Sequence, residues 1–276
     1  MREGAPLLPR RRSPRAIVAL LAVALLLPTV AEGGAAAASV PALAPQVGEP
    51  GDRLPDLELH KLYGLTIRAT SGGRKRLRFG TRAYNIGAGP LEVRGSAPAS
   101  GLMNELVQWI ASDAGGRTVS PAGAQMFWAG DGHAHWHLRQ LITVELYKPA
   151  KPASRRLIRK IGFCLVDLVR RTPAPTNASA RTYGSCGRTR TDKSITMGIS
   201  VGWADDYQPL IAKQWIDVTG LRKGVYRLCA TVNPTGEWLE SNSANNYFWY
   251  DIWMNPARSR LEIRASGRSA CGSFAP

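Results

Sequence analysis

The chain has 276 residues and a formal charge of +16, from 36 basic and 20 acidic residues. This length allows one sizeable domain or two small ones. The basic residues are scattered and form no helix-turn-helix, zinc-finger or RNA-binding signature, which argues against specific nucleic-acid recognition. A charge of this size favours adhesion to polyanions such as the acidic polymers or anionic lipids of a cell envelope.

The N-terminal segment, residues 1–38, is predicted to be a signal peptide. A basic head ("RRRSPR") precedes an apolar run ("AIVALLAVALLLPTV") and a small-residue cleavage zone ("AEGGAAAAS"). The apolar run is short for a membrane span, although an uncleaved anchor is the alternative, and no transmembrane run follows it. Cleavage near Ala38 removes five arginines and two glutamates and leaves a charge of +13. We therefore expect an exported protein, secreted or held in the cell envelope.

The following residues predict an all-β domain. A Pro/Gly/Ala-rich linker (39–53) leads into a domain over 54–258, and a basic tail (259–276) ends the chain. Short β-type runs separated by turns fill the domain, namely "LRFGTRAYNIGAGPLEVRG", "LRQLITVELY", "KIGFCLVDL", "KQWIDVTGL", "GVYRLCATVNP" and "NYFWYDIWM". A polar stretch at 171–196 is too long for an ordinary hairpin loop. The pattern favours an antiparallel β-sandwich core with long irregular loops and little helix.

The four cysteines fit an oxidising compartment. They are even in number and form no CxxC pair, so two disulfide bonds are more consistent with them than a zinc knuckle. The sequence alone allows three pairings of Cys164, Cys186, Cys229 and Cys271.

Three of the four histidines lie in one stretch, "GDGHAHWHL" (130–138). On an extended strand His133, His135 and His137 project from one face, and Ala134 and Trp136 from the other. The outer two α-carbons of a straight strand would be about 13 Å apart, so the segment should bend at the neighbouring glycines if all three share one ion. Three imidazoles suit copper, zinc or nickel, and the spacing alone does not choose among them.

An ordered set of motifs surrounds these histidines. After "HAHWH" come "KIGFCLVD" with Lys160, "MGISVGWADDY" with Tyr207, "QWIDVT" (214–219), "VNP" (232–234) and "ESNSANN" (240–246). Before it come "LPDL" (54–57) and "LRFGTRAYNIGAG" (77–89). Over about residues 54–254 the chain resembles the catalytic domain of the lysyl oxidase family, and the short, cysteine-poor histidine motif is similar to that of bacterial members.

The resemblance implies a copper site at His133, His135 and His137. It also implies that Lys160 and Tyr207 join into lysine tyrosylquinone, which this family makes from its own side chains with copper and dioxygen. The implied activity is oxidation of primary amines, small or as peptidyl lysine, to aldehydes with release of ammonia and hydrogen peroxide. Copper fits this chemistry because oxidising a phenol to a quinone needs a redox metal, which zinc is not.

The resemblance further implies a calcium site and a disulfide pairing. The calcium ligands would be Asp56, the Leu57 carbonyl, Glu240, Asn242, Asn245 and Asn246, which offer the oxygen ligands of a hard cation. Asn242 replaces an aspartate of the family pattern, which lowers the charge of the site; a turn capped by its own side chains is the alternative. Cys164 is implied to pair with Cys186, which leaves Cys229 and Cys271 as the second pair.

Two other functions are consistent with parts of the sequence. The stretch "GVYRLCATVNPTGEWLESNSANNYF" also resembles the end of an immunoglobulin-like domain, which favours a non-catalytic, metal-binding module at the cell surface. A zinc hydrolase built on the three histidines ranks last, because no obvious nucleophile and no glutamate stand beside the proposed ligands.

Overall fold

The computed structural model describes residues 48–96, 102–129 and 134–271, and all of them belong to one compact unit, Leu43–Pro276. The predicted signal peptide, most of the linker and His133 lie outside the described residues. The described secondary structure consists of one short 3-10 helix, Pro256–Arg258, and the strands β1 (Asp52–Arg53), β2 (Leu57–Leu59), β3 (Tyr63–Ala69), β4 (Lys75–Asn85), β5 (Leu91–Ser96), β6 (Leu102–Met103), β7 (Glu105–Ser112), β8 (Arg117–Val119), β9 (Met126–Trp128), β10 (Trp136–Arg139), β11 (Ile142–Lys148), β12 (Lys151–Leu157), β13 (Gly162–Phe163), β14 (Val169–Arg170), β15 (Ser194–Ile199), β16 (Trp203–Tyr207), β17 (Trp215–Asp217), β18 (Gly224–Val232), β19 (Tyr247–Asn255) and β20 (Arg260–Gly267).

The strands form four antiparallel sheets. Sheet 1 has the order β12-β11-β18-β19-β20, and sheet 2 has the order β14-β16-β4-β17 with β2 and β3 also paired to β4. Sheet 3 is β1-β7-β5-β15 with β8 on β7, and sheet 4 is β13-β10-β9-β6. Strands β18 and β19 contact β2, β20 contacts β3, and β12 contacts β17, so sheet 1 packs on sheet 2. The predicted all-β sandwich with little helix is confirmed.

Alternation of apolar residues explains the core. In β19 the side chains of Phe248, Tyr250, Ile252 and Met254 are buried, and the residues between them are partly exposed. Successive side chains of a strand point to opposite faces, so every second residue enters the core. A fully buried side chain of this size contributes about 1.5–3 kcal/mol to stability.

Some predicted strands are shorter or divided. "LRQLITVELY" contains the end of β10 and most of β11, which are separated at Gln140, where φ is 60°. Of "KIGFCLVDL" only Gly162–Phe163 is strand. The rest of that segment forms hydrogen bonds with loops, as when Asp167 N donates to Tyr183 O (2.9 Å). The polar stretch at 171–196 is irregular up to Ser194, where β15 begins.

The C-terminal segment is more ordered than a tail. Residues Arg260–Gly267 form β20, which pairs with β19 from Asn255↔Arg260 to Trp249↔Gly267. Its side chains are almost all exposed, so the sequence lacks the alternation that reveals an edge strand. The linker likewise ends in β1, whose Asp52 pairs with Ser112 of β7.

Both implied disulfide bonds are present. Cys164 is bonded to Cys186, and Cys229 to Cys271. The second bond attaches the chain beyond β20 to β18, which keeps the C-terminal segment on sheet 1.

Candidate active site

The histidine stretch enters sheet 4 at β10. His137 pairs with Phe127 of β9, and its neighbour Leu138 pairs with Phe163 of β13. His135 lies just before the strand, and its Nε2 is 2.9 Å from Nε2 of His137. His135 and His137 therefore project to the same side, as the spacing predicts, and their nitrogens are close enough to share one ion. The role of His133 stays a prediction.

Gly162 allows the His137 ring to lie against β13. A Cβ at this position would be 2.6 Å from His137 Nδ1 and 2.6 Å from Phe127 Cζ, closer than real contacts allow. A side chain at residue 162 would therefore displace the imidazole. Glycine is needed at position 162 for lack of space and not for its backbone conformation, because its φ is not positive.

Lys160 and Tyr207 meet in the interior. Lys160 precedes β13 by two residues, whereas Tyr207 ends β16 in sheet 2. The Nζ of Lys160 lies 4.5 Å from the centroid of the Tyr207 ring and 5.5 Å from that of Phe163. The exposed fraction is 4% for Lys160 and 6% for Tyr207. Burial of a lysine is rare unless its charge is compensated or has a function.

The backbone of Cys164 fixes the Tyr207 ring. The Tyr207 hydroxyl accepts a hydrogen bond from Cys164 N (2.6 Å) and donates one to Cys164 O (3.1 Å). Phe163 packs edge-on against the ring at 5.1 Å between centroids. Cys164 is disulfide-bonded to Cys186, whose carbonyl accepts a hydrogen bond from Trp136 N of β10 (2.8 Å). Residues 160–164 thus connect the histidine strand to the tyrosine strand.

The two aspartates beside Tyr207 point to opposite faces of β16. Asp206 is bound by Arg82 Nε and by the Tyr63 hydroxyl, each at 2.8 Å. Asp205 lies on the same face as Tyr207, two residues away, and is fully buried. The Asp205 carboxyl group interacts with the Tyr207 hydroxyl and with the positive charge of Lys160.

Burial dominates the electrostatics of this interior. Desolvation raises the pKa of Asp205 well above its usual value, and the positive charge of Lys160 partly opposes that shift. Desolvation also raises the pKa of the Tyr207 hydroxyl, and the nearby Asp205 charge adds to the effect. Burial thus disfavours the charged form of both groups.

A second cluster contains the six residues implied as calcium ligands. The Asn245 side chain donates to Asp56 Oδ1 (2.7 Å), Asn246 donates to Glu240 Oε1 (2.6 Å), and Leu57 N donates to Glu240 Oε2 (3.1 Å). Asn242 also hydrogen-bonds to Asp56, and its Oδ1 accepts from Ala244 N. The six residues therefore lie close together. Leu57, however, contacts Glu240 through its backbone N–H, and not through the carbonyl implied as a ligand.

The donor atoms of this cluster fit a hard cation. The side-chain oxygens of Asn245 and Asn246 are buried and have no hydrogen-bond partner among the described residues. Burial raises the pKa of both Asp56 and Glu240 and so disfavours their negative charges. A bound divalent cation would satisfy the amide oxygens and compensate the carboxylates.

Some participants were missed in the sequence. The sequence indicates Asp205 only as a candidate to line an acidic substrate entrance, although its spacing from Tyr207 places it on the tyrosine face of any strand. Gly162 gave no signal, because a close approach between two strands is visible only in three dimensions. Asn233, which donates to Glu240 Oε1 (2.7 Å), was noted only as part of a motif.

Within residues 48–96, 102–129 and 134–271, no group of three or more His, Cys, Asp or Glu side chains is placed to hold a metal ion. No helix in the same ranges is long and apolar enough to cross a membrane.

The chain matches a protein-family model described as lysyl oxidase over residues 107–262, more than half of its length. It belongs to the lysyl oxidase family. The matched range includes the histidine stretch, Lys160 and Tyr207. It ends within β20, so the strand that replaces the expected tail begins inside the family region.

Several curated proteins are similar to this chain. Human lysyl oxidase homolog 3 is 28% identical over 132 residues, covering 45% of this chain and 16% of that protein. Lysyl oxidase homolog 2 of Xenopus tropicalis is 25% identical over 192 residues, covering 67% of this chain and 20% of that protein. Lysyl oxidase homolog 4 of Mus musculus is 26% identical over 202 residues, covering 71% of this chain and 22% of that protein. The match thus spans about a fifth of each relative.

Proposed function

We propose that this protein is an exported copper amine oxidase that converts primary amines to aldehydes, releasing ammonia and hydrogen peroxide. Its cofactor would be lysine tyrosylquinone made from Lys160 and Tyr207. Family membership supports an amine-oxidising activity, and the named relatives are lysyl oxidase homologs. The cofactor, the substrate class and the export are our own inferences.

One observation carries the proposal. The amine of Lys160 lies 4.5 Å from the centre of the Tyr207 ring, and both side chains are almost completely buried. A packed aromatic core does not need a lysine, and burying its charge costs free energy. Formation of a covalent bond between the amine and the ring gives a reason for both residues to be there.

The histidines fit copper by their chemistry. His135 and His137 present two nitrogens 2.9 Å apart, and His133 would complete a set of three imidazoles. When bound, copper supplies the one-electron chemistry that oxidation of a phenol by dioxygen requires. Copper binding by all three histidines is part of the proposal.

The residues of the chain itself hold the reacting groups. The Cys164 backbone orients the Tyr207 hydroxyl through two hydrogen bonds, and Phe163 limits rotation of the ring. Gly162 keeps His137 close to the same segment. The interior excludes water, which protects a reactive ring carbonyl from side reactions.

The two disulfide bonds support export, because such bonds persist in oxidising compartments. The cluster around Asp56 and Glu240 supports calcium as a structural ion. Primary amines and dioxygen are the proposed reaction partners, and the mature charge of +13 favours adhesion to an anionic cell envelope.

The proposal is tested by loading the metal-free protein with copper in air and mapping its peptides by mass spectrometry. We expect one cross-linked pair that contains Lys160 and Tyr207, together with visible absorption and peroxide release with a primary amine. Tyr207→Phe should abolish all three signals. Tyr183→Phe, which alters another buried tyrosine whose hydroxyl donates to Glu92 (2.6 Å), is the matched control and should retain them. A wild-type chain that binds copper in air and forms no cross-link would contradict the proposal and favour the non-catalytic binding module.

A further inference from the structure

Asp205 is a buried acid that lies beside both residues of the proposed cofactor. Its side chain is fully buried, and its carboxyl group interacts with the Tyr207 hydroxyl and with the Lys160 charge. Asp167, by contrast, is also buried but accepts hydrogen bonds from Ser200 N (2.7 Å) and Tyr183 N (2.9 Å). Asp167 is thus held by the backbone, whereas the largest favourable interactions of Asp205 are with Tyr207 and Lys160.

The position of Asp205 associates it with the proposed cofactor. It lies two residues before Tyr207 on the same face of β16, and the Lys160 charge acts on its carboxyl group. The Lys160 amine lies over the Tyr207 ring. The carboxyl group therefore shares its buried environment with both parts of the predicted cross-link.

We propose that Asp205 is the base that removes the α-proton of the amine substrate. This inference rests on the amine oxidase function proposed above. In the step the α-C–H bond breaks, the proton passes to a carboxylate oxygen of Asp205, and the electron pair passes to the ring contributed by Tyr207. Hydrolysis releases the aldehyde and leaves the substrate nitrogen on the reduced ring. Dioxygen then takes up two electrons and two protons to form hydrogen peroxide, and a second hydrolysis releases ammonia.

The electrostatics of the interior suit a base. Burial raises the pKa of Asp205, and the neighbouring Asp206 charge raises it further, whereas Lys160 lowers it. Across the sheet, the Arg82 guanidinium binds Asp206 on the opposite face of β16. A base with a raised pKa holds an abstracted proton better than an ordinary carboxylate does. Because the base must be ionised, turnover should rise as the pH rises through that pKa.

Asp205→Asn tests the assignment in the full-length, copper-matured protein. The amide keeps the shape of the side chain and cannot take up a proton. We expect the Lys160–Tyr207 cross-linked peptide and its reaction with phenylhydrazine to remain at wild-type levels. Amine oxidation should fall by at least about 100-fold, the usual lower bound for loss of a general base, and the rise of rate with pH should disappear.

Asp206→Asn is the matched control, since Asp206 is the next residue and faces the other way. It should retain a rise of rate with pH, moved toward lower pH because the Asp206 charge is one cause of the raised pKa of Asp205. If the Asp205→Asn protein is cross-linked and oxidises amine at the wild-type rate, this inference is wrong and the proposed function stands. Folded, copper-bound Asp205→Asn protein without the cross-link would also overturn it, because Asp205 would then act in maturation. A wild-type chain without a cross-link overturns the proposed function and the inference together.

A measurement on the wild-type chain does not depend on the folding of any variant. With an α-dideuterated amine, the proposal predicts a primary isotope effect on the limb of the profile that rises with pH. A wild-type profile without a rising limb, or one with no isotope effect at any pH, would overturn the assignment of Asp205.

Discussion

At the scale of single residues, small changes of side chain determine whether the site can form. Gly162 leaves room for His137, and Asp205 faces Tyr207 only because an even number of residues separates them. Shifting the register of β16 by one residue would exchange Asp205 with Asp206, which binds Arg82. The face of each aspartate could be predicted from the sequence, since it follows from the period of a strand. The full burial of Asp205 beside Lys160 could not.

Gly162→Ala should weaken copper binding. The new Cβ would lie 2.6 Å from His137 Nδ1, so the imidazole must move away from its place beside His135. Displacing the support of a metal ligand typically lowers metal affinity about 10–100-fold. Copper titration of the metal-free variant measures the change.

Gly184→Ala is the control for this substitution, because a Cβ at Gly184 has no atom within 4 Å. It should bind copper with wild-type affinity. Equal copper affinities for the two variants would mean that His137 is not a copper ligand.

At the scale of elements, loops and strand ends bring the functional groups together. The turn between β18 and β19 carries Glu240 and Asn245 to the start of β2, where Asp56 and Leu57 lie. Residues 160–164 connect sheet 4 with Tyr207 of sheet 2. The strands themselves were predictable because their burial alternates. Which loop meets which strand depends on pairings between distant parts of the chain.

Calcium should stabilise the wild-type protein through the cluster around Glu240. An ion that binds only the folded state, at 100 times its dissociation constant, adds about 2.7 kcal/mol to the free energy of unfolding. Glu240→Gln removes a carboxylate and the oxygen that accepts from Leu57 N, so the increase in Tm on adding calcium should be lost. Thermal unfolding with and without calcium gives the comparison.

Glu262→Gln serves as the control, since Glu262 lies on β20 and forms an exposed ion pair with Arg264. Its Tm should increase with calcium as in the wild type. An equal increase in the Glu240→Gln protein would show that calcium binds elsewhere.

At the scale of the whole molecule, net charge affects the choice of substrate. The mature chain is predicted to carry +13, so it repels polycations over distances of about 10 Å at 0.1 M salt and farther at lower salt. The same charge favours adhesion to polyanions. Charge is fixed by composition, and this prediction therefore needs no knowledge of the fold.

A small primary amine should be oxidised faster than polylysine at low ionic strength. At equal amine concentration we expect about a tenfold advantage, which should shrink as salt screens the repulsion. Peroxide release at low and high salt measures both effects, and an uncharged peptide with one lysine separates chain length from charge. Polylysine as the better substrate at low salt would be the opposite of this expectation.

The sequence by itself determined the local features of the protein. Period-two burial predicted β-structure, and the spacing of His135 and His137 predicted that both rings project to one side. The family motifs implied roles for Lys160, Tyr207 and the cluster around Asp56 and Glu240, which stay predictions, and they implied the disulfide pairing that the structure shows. These features depend on neighbouring residues or on a family resemblance, and both can be recognised from the order of residues along the chain.

The tertiary structure decided which distant groups meet. It placed the Lys160 amine on the Tyr207 ring, buried Asp205 beside them, and converted part of the expected tail into β20. Each outcome depends on contacts between residues far apart in the chain. Such contacts form because pairing and burial across sheets outweigh the entropy of closing the intervening loops. The local periodicity of the sequence does not show which of these distant contacts are favourable.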